Sequence, residues 1–225
     1  METLQYNSLS DQAYEKLKSA IIERRLEPNT KLNMQDIADT FGVSRGPVSE
    51  AFIRLEADGL LERKNRVGTF VVPLTKSRLS EMFEARYMIE EWALPSILEN
   101  LTEDDIQYFT EILEQARLLI TNADESTFDF TAFVHLDHNF HARLMELCNN
   151  KTIIRFYESL NSHVQIARVY SSQAFERSKE GLKEHEEILD VLKARDVDRA
   201  CEAFRDHLRK SEEGILKLFG ENEVL

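Results

Sequence analysis

The sequence predicts a mainly α protein in two parts: an N-terminal winged helix-turn-helix over residues 1–74, then an antiparallel all-helical bundle of six or seven helices over residues 75–225. Three observations carry this reading. The first 74 residues hold three helical patterns followed by two short strand patterns around a glycine. From about Ser77 onward strand signals vanish and apolar residues recur at helical spacing. Charge divides at the same place: ten Lys/Arg stand against eleven Asp/Glu through residue 74, and eighteen against thirty beyond it, so the net charge of -13 belongs almost wholly to the second part.

With 225 residues, 42% of them hydrophobic, and only seven Gly and four Pro, the chain can fill one large core or two modest ones and is not compositionally disordered. No apolar run approaches the ~20 residues a membrane span needs. No charged-then-apolar leader opens the sequence, and Cys148 and Cys201 fall within amphipathic helical patterns, so a cytoplasmic protein without a disulfide framework is expected.

The first helix is expected from about Ser10 to Arg24, with Tyr14, Leu17 and Ile21 on one face, and Pro28 in "LEPNTKL" stops it. A short helix follows from Met34 to Phe41, with Asn33 as its cap, Ile37, Ala38 and Phe41 inward, and Gly42 at its end. Ser44 is the expected N-cap of a third helix, in which Pro47 sits in the first turn and Val48, Ala51, Phe52 and Leu55 form a buried stripe. Beyond Gly59, "LLER" and "TFVV" read as strands joined by "KNRVG", with Gly68 supplying the turn. In the second part, helical stripes run through Met82 to Glu90, Ile106 to Ala116, Phe133 to Leu147, Ile153 to Val169, Leu182 to Leu192 and Val197 to Phe219, with "TNADEST" as a loop.

A helix that enters the DNA major groove needs small or polar residues at its N-terminus, where the backbone approaches base edges, and cations for phosphate and guanine. "SRGPVSEAF" meets that need: Arg45 for base or phosphate, Gly46 for close approach, Ser44 and Ser49 for hydrogen bonding. Lys31, Arg63, Lys64 and Arg66 would add phosphate contacts that position the protein without conferring specificity. From Phe41 to Arg78, seven basic residues face only four acidic ones, so a local basic face is compatible with the acidic whole. On the residues alone, solvated surface charge explains the segment equally well.

The run "LNMQDIADTFGVSRGPVSEAFIRLEADGLLERKNRVGTFV" resembles the winged helix of the GntR family of bacterial transcription regulators, through "GVSR.PV", "LEADGLLE" and Gly68 before "FV". The resemblance implies operator DNA as partner. Two positions depart from the family pattern: Pro28-Asn29 where Pro-Gly is usual, and Ser49 where an Arg is usual, which removes one DNA contact.

In the second part, "HLDHNFHARL" concentrates three of the chain's six histidines. Asp137 and His141 are four apart and share a helix face. His138 is one residue off that face and His135 lies on a neighbouring one, so both read as surface or packing residues. His185 keeps register with Leu182, Ile188, Leu189 and Leu192, and His207 with Ala200, Phe204, Leu208 and Ser211, which puts each on the core face of its own helix. One Asp and three neutral His suit Zn²⁺ or a similar divalent transition metal, with Ni or Mn as alternatives; singly buried, separately hydrogen-bonded histidines are the competing explanation.

Residues 75–225 are similar to the FCD ligand-binding domain of the FadR subfamily of GntR regulators, whose metal motif is Asp, three residues, His, then two distant His. Asp137, His141, His185 and His207 occupy those places in order. The resemblance implies an effector site at Arg86 in "EARYMIEE", where a small carboxylate would bridge the guanidinium and the metal; an ion pair to Glu90 is the alternative. His163 and Arg168, with Arg155, are further candidates for that pocket. The function expected is a homodimeric, ligand-responsive transcription regulator. A metalloenzyme built on the same ligands, and a regulator whose metal is purely structural, are the alternatives.

Overall fold

The structure, a computed structural model, describes residues 8–169, 174–219 and 224, and the side chains of these outside residues 161–174. The elements run α1 (Leu9–Ile22), β1 (Lys31–Leu32), α2 (Met34–Phe41), α3 (Arg45–Ala57), β2 (Leu61–Lys64), β3 (Gly68–Val71), α4 (Lys76–Asn100), α5 (Glu103–Thr121), α6 (Phe130–Glu146), α7 (Lys151–Val169), α8 (Ala174–Ala194) and α9 (Val197–Phe219). They form two compact units that divide between Leu74 and Thr75.

In the first unit, Ser8 caps α1 in a reciprocal box with Asp11, which satisfies two of the helix's orphan donors and starts it ahead of the expected Ser10. Ala13, Tyr14, Leu17, Ala20 and Ile21 are buried against α3, whose stripe of Val48, Ala51, Phe52 and Leu55 is likewise buried. Asn33 accepts from the Gln35 amide as the cap of α2, and Gly42 ends that helix at φ 67. One expectation holds in position only and one needs correcting. Ser44 occupies the N-cap position of α3, but its side chain makes no capping hydrogen bond. In the β2–β3 hairpin the turn between the strands carries Arg66 at φ 63, while Gly68, also at positive φ (141), opens β3, where the Lys31 side chain crosses it.

The strand β1 has no counterpart in the sequence reading. Its two residues pair antiparallel with β3, giving the sheet order β1-β3-β2 with Lys31 opposite Phe70 and Leu32 opposite Thr69. Two residues are too few to show an alternating pattern, and the turn before them does the positioning: the Thr30 amide donates to the Glu27 carbonyl at 3.0 Å, with Pro28 and Asn29 between. Asn29 sits at φ 64, the third-residue conformation of a type II turn, which Gly adopts freely and Asn better than most side chains. The departure from Pro-Gly therefore keeps the turn.

The second unit is a helical bundle in which α4 packs on α6, α7 and α9, α5 on α6 and α8, and α8 on α9. Six helices fall among its described residues. Phe109, Phe140, Leu144, Ile188, Leu192, Ala200 and Phe204 fill its centre; each large apolar side chain so buried contributes about 1.5–3 kcal/mol. Thr102 caps α5 with Asp105 in a second reciprocal box, and Asp105 also receives Arg143 of α6 at 2.6 Å, so one carboxylate both starts a helix and ties it to its neighbour. Arg195 donates to the Leu98 and Leu101 carbonyls that α4 leaves open at its C-terminus. Cys148 lies just past α6 rather than within it, and both cysteines are free thiols. No helix among the described residues is long and apolar enough to cross a membrane.

Candidate functional site

The sequence singles out two places, one in each unit. In the first, α3 begins with Arg45 and Gly46 exposed behind exposed Ser44, and Ser49 half-buried a turn later. A Cβ added to Gly46 would meet nothing nearer than Ser44 Oγ at 3.9 Å, so the fold itself does not demand glycine there. Lys31, Lys64 and Arg66 are exposed on the sheet and its hairpin. Lys64 lies over the Phe70 ring and pairs with Glu62 at 2.6 Å, and Arg63 pairs with Glu56 at 3.1 Å. Gly68 lets the Lys31 stem cross β3, since a Cβ at that position would stand 2.6 Å from Lys31 Cε.

In the second unit the chemistry turns inward. His141 of α6, His185 of α8 and His207 of α9 are all buried, and their ligand atoms lie within 4.8 Å of one another. Nε2 of His141 stands 3.1 Å from Nε2 of His185 and 3.1 Å from Nε2 of His207. Nitrogens bound to one ion at about 2.1 Å stand roughly 3.0 Å apart at right angles and roughly 3.4 Å apart at the tetrahedral angle, so both separations fit a shared metal. Three imidazole nitrogens aimed at one another in a buried site are otherwise hard to satisfy, because a neutral ring carries only one N–H. Asp137 is buried beside them with Oδ1 3.7 Å from His185 Nε2, at the rim of the cluster rather than in it. His135 is exposed and His138 half-buried.

Arg86 is completely buried. Its Nε and Nη2 donate to Glu90 Oε1 at 2.9 and 2.8 Å, and Nη2 reaches the Tyr157 hydroxyl at 3.2 Å. The internal ion pair is thus present, while Nη1 has no hydrogen-bond partner among the described residues. Burial alone would raise the Glu90 carboxyl, but the Arg86 charge, with His141 alongside, holds it down at about 2. Glu90 Oε2 lies 3.5 Å from His141 Nδ1, so the arginine and the histidine cluster are joined through one carboxylate. His163 and Arg168 lie outside the described side chains, and Arg155 is exposed.

Sequence reasoning missed three contributors. Glu184 accepts from His207 Nδ1 at 2.8 Å, Arg177 clamps both oxygens of Glu184 at 3.0 and 2.8 Å, and Tyr157 steadies Arg86. The signal available was a carboxylate immediately before a core-facing His in "KEHEE", which charge patterning alone assigns to the surface.

The FCD domain family matches residues 81–210, and the family described as bacterial regulatory proteins, gntR family, matches residues 9–71. The chain belongs to the FCD-containing GntR regulators. Curated relatives include the HTH-type transcriptional regulator YdhC of Bacillus subtilis (strain 168), 29% identical over 67% of this chain and 65% of that protein. The gluconate operon transcriptional repressor of the same strain is 28% identical over 66% of this chain and 58% of that one. The matched segments thus span less than two thirds of these relatives' own length. The Escherichia coli McbR/YncC structure superposes with a TM-score of 0.81 at 22% identity, over 95% of this chain and 99% of that one, a likeness of fold. The gntR family is described as regulatory proteins and the named relatives are transcriptional regulators, and the metalloenzyme alternative is set aside.

Proposed function

We propose that this GntR regulator, of the FadR subfamily, binds operator DNA as a homodimer under the control of a small carboxylate held beside a divalent transition metal, zinc first. The observation that carries the effector half is the convergence of three buried imidazole nitrogens next to a buried arginine. His141, His185 and His207 would hold the ion, with Asp137 as fourth ligand. A bound divalent ion supplies a Lewis-acid position for an anionic ligand. Charge supports the pairing: the ion and Arg86 outweigh Asp137 and Glu90 by one positive charge, whereas without the ion the same residues are net negative. Arg86 Nη1 is the donor left for the carboxylate; His163 and Arg168 are retained as further contacts.

For DNA, the exposed start of α3 presents Ser44, Arg45, Gly46 and Ser49 to base edges, while Lys31, Lys64, Arg66 and the backbone at Gly68 meet the phosphates. One winged helix reads a half-site, so two copies on a near-palindrome follow from geometry. The contacting helices α4 and α7 of the bundle each leave apolar side chains in solvent, Met88 at 66%, Trp92 at 56% and Phe156 at 62% exposed, and these suit a second copy.

The test uses duplexes enriched from a random pool by the full chain. Affinity should fall steeply with salt, and a small carboxylate should change it only with metal present. If the carboxylate still binds equally well after chelation, the metal is a structural staple. If no sequence is enriched and affinity ignores salt, the DNA reading fails.

A further inference from the structure

Two of the three imidazoles are backed by the same device. His207 Nδ1 meets Glu184 Oε2 at 2.8 Å, and Glu184 is held by Arg177, which also donates to Ser211 Oγ at 3.2 Å. His141 Nδ1 faces Glu90 Oε2 at 3.5 Å, and Glu90 is held by Arg86. Each run reads arginine, glutamate, histidine, and both end at nitrogens that face the same point. The two histidines sit on α6 and α9, whereas the glutamates come from α4 and α8, so every buttress is supplied by a different helix from the ligand it supports.

From this arrangement we infer that Glu90 and Glu184 are positioning residues which hold the Nδ1–H form of His141 and His207 and so turn both Nε2 lone pairs toward one cation. This rests on reading the histidines as metal ligands. A carboxylate whose oxygens both face guanidinium donors offers only acceptors to its other neighbours, so the ring nitrogen bonded to it carries the proton. For Glu184 that bond is fully formed. For Glu90 the separation is a few tenths of an ångström beyond a hydrogen bond, and neither Glu90 Oε2 nor His141 Nδ1 has another hydrogen-bond partner among the described residues. With both protons fixed outward, the two Nε2 atoms 3.1 Å apart present lone pairs to each other, an arrangement that a cation between them relieves. Carboxylates behind metal-bound histidines fix the tautomer and raise ligand basicity. The arginines keep those carboxylates in place, which makes Arg86 a support of the metal centre as well as a candidate effector contact.

The experiment titrates the metal-free full chain with Zn²⁺ against a chromophoric chelator, and records long-range ¹H–¹⁵N spectra of the imidazoles, which distinguish Nδ1–H from Nε2–H. Glu184→Ala should weaken Zn²⁺ binding by roughly 10–100-fold. Glu184→Gln, whose carbonyl still accepts from Nδ1, should recover most of that loss. Asp105→Ala, which breaks the pair between the buried Asp105 carboxylate of α5 and Arg143 of α6, should leave the affinity near wild type. The inference is overturned if Glu184→Ala binds Zn²⁺ like wild type, if Asp105→Ala loses as much, or if His207 in the folded wild-type chain carries its proton on Nε2. If the wild-type chain takes up no Zn²⁺, the metal reading fails, and the proton position on His207 still decides whether Glu184 sets it. Should Glu184→Ala not fold, Glu184→Gln and the wild-type spectra decide the matter.

Discussion

The two units use charged side chains in opposite ways. In the winged helix they point outward, and the ion pairs Arg54–Asp11, Arg63–Glu56 and Lys64–Glu62 are all substantially exposed. Such pairs contribute about 0–1 kcal/mol each and are screened by salt, so these cations can be redirected to phosphate at little cost. In the bundle Arg86, Glu90, Asp105, Asp137, His141, Glu184, His185 and His207 are buried. Once desolvated, a charge must keep its partner, and removing one leaves the other stranded. One unit therefore has a surface whose chemistry is cheap to alter, and the other an interior whose chemistry is costly to alter.

The largest expected effect breaks the interior rule. Arg86→Met keeps volume but strands Glu90, and should cost the metal-free chain about 3–5 kcal/mol in denaturant unfolding. A loss below ~1 kcal/mol would remove the distinction between the units. The same pair has a pH signature. Because the folded Glu90 carboxyl is held at about 2, below its ordinary 4.5, its contribution is fully present above that ordinary value and is lost as pH falls toward about 2. Glu90→Gln should lack that portion of the acid transition, read as unfolding midpoints of the metal-free chain across that window.

An intermediate effect lies on the surface. Arg45→Ala should cost about 1–3 kcal/mol of DNA affinity and relax specificity at one position if it reads a base, while leaving unfolding within about 0.5 kcal/mol of wild type. A variant that unfolds early would mean that Arg45 serves the fold instead.

How far each unit was legible follows from the same contrast. Outward chemistry shows in local spacing: the buried stripe of α3, the Asn33 cap and the exposed Arg45 all lie within a few residues of the signals that announce them. The two-residue strand β1 escaped because it borrows its order from β3 and from the turn at Asn29. Inward chemistry is assembled across helices. Helical register placed His141, His185 and His207 on core faces, but which rings meet, and that Asp137 Oδ1 comes to 3.7 Å from His185 Nε2, depends on packing. Glu184 looked like one more charge in an acidic run, since only the approach of α8 to α9 makes it the partner of His207.

The smallest expected effect sharpens the turn argument. Asn29→Ala should destabilise the winged helix by roughly 1 kcal/mol, because Ala tolerates the left-handed backbone poorly, and Asn29→Gly should be neutral or mildly stabilising. Equal unfolding midpoints for the two variants would show that the turn's conformation does not limit stability.

X-ray absorption on the zinc-loaded full chain tests the central claim most directly. The account requires one ion per chain with three imidazole nitrogens at about 2.0–2.1 Å, and loss of one of them in His207→Ala. A spectrum with sulfur ligands, with fewer imidazoles, or unchanged by His207→Ala would contradict it.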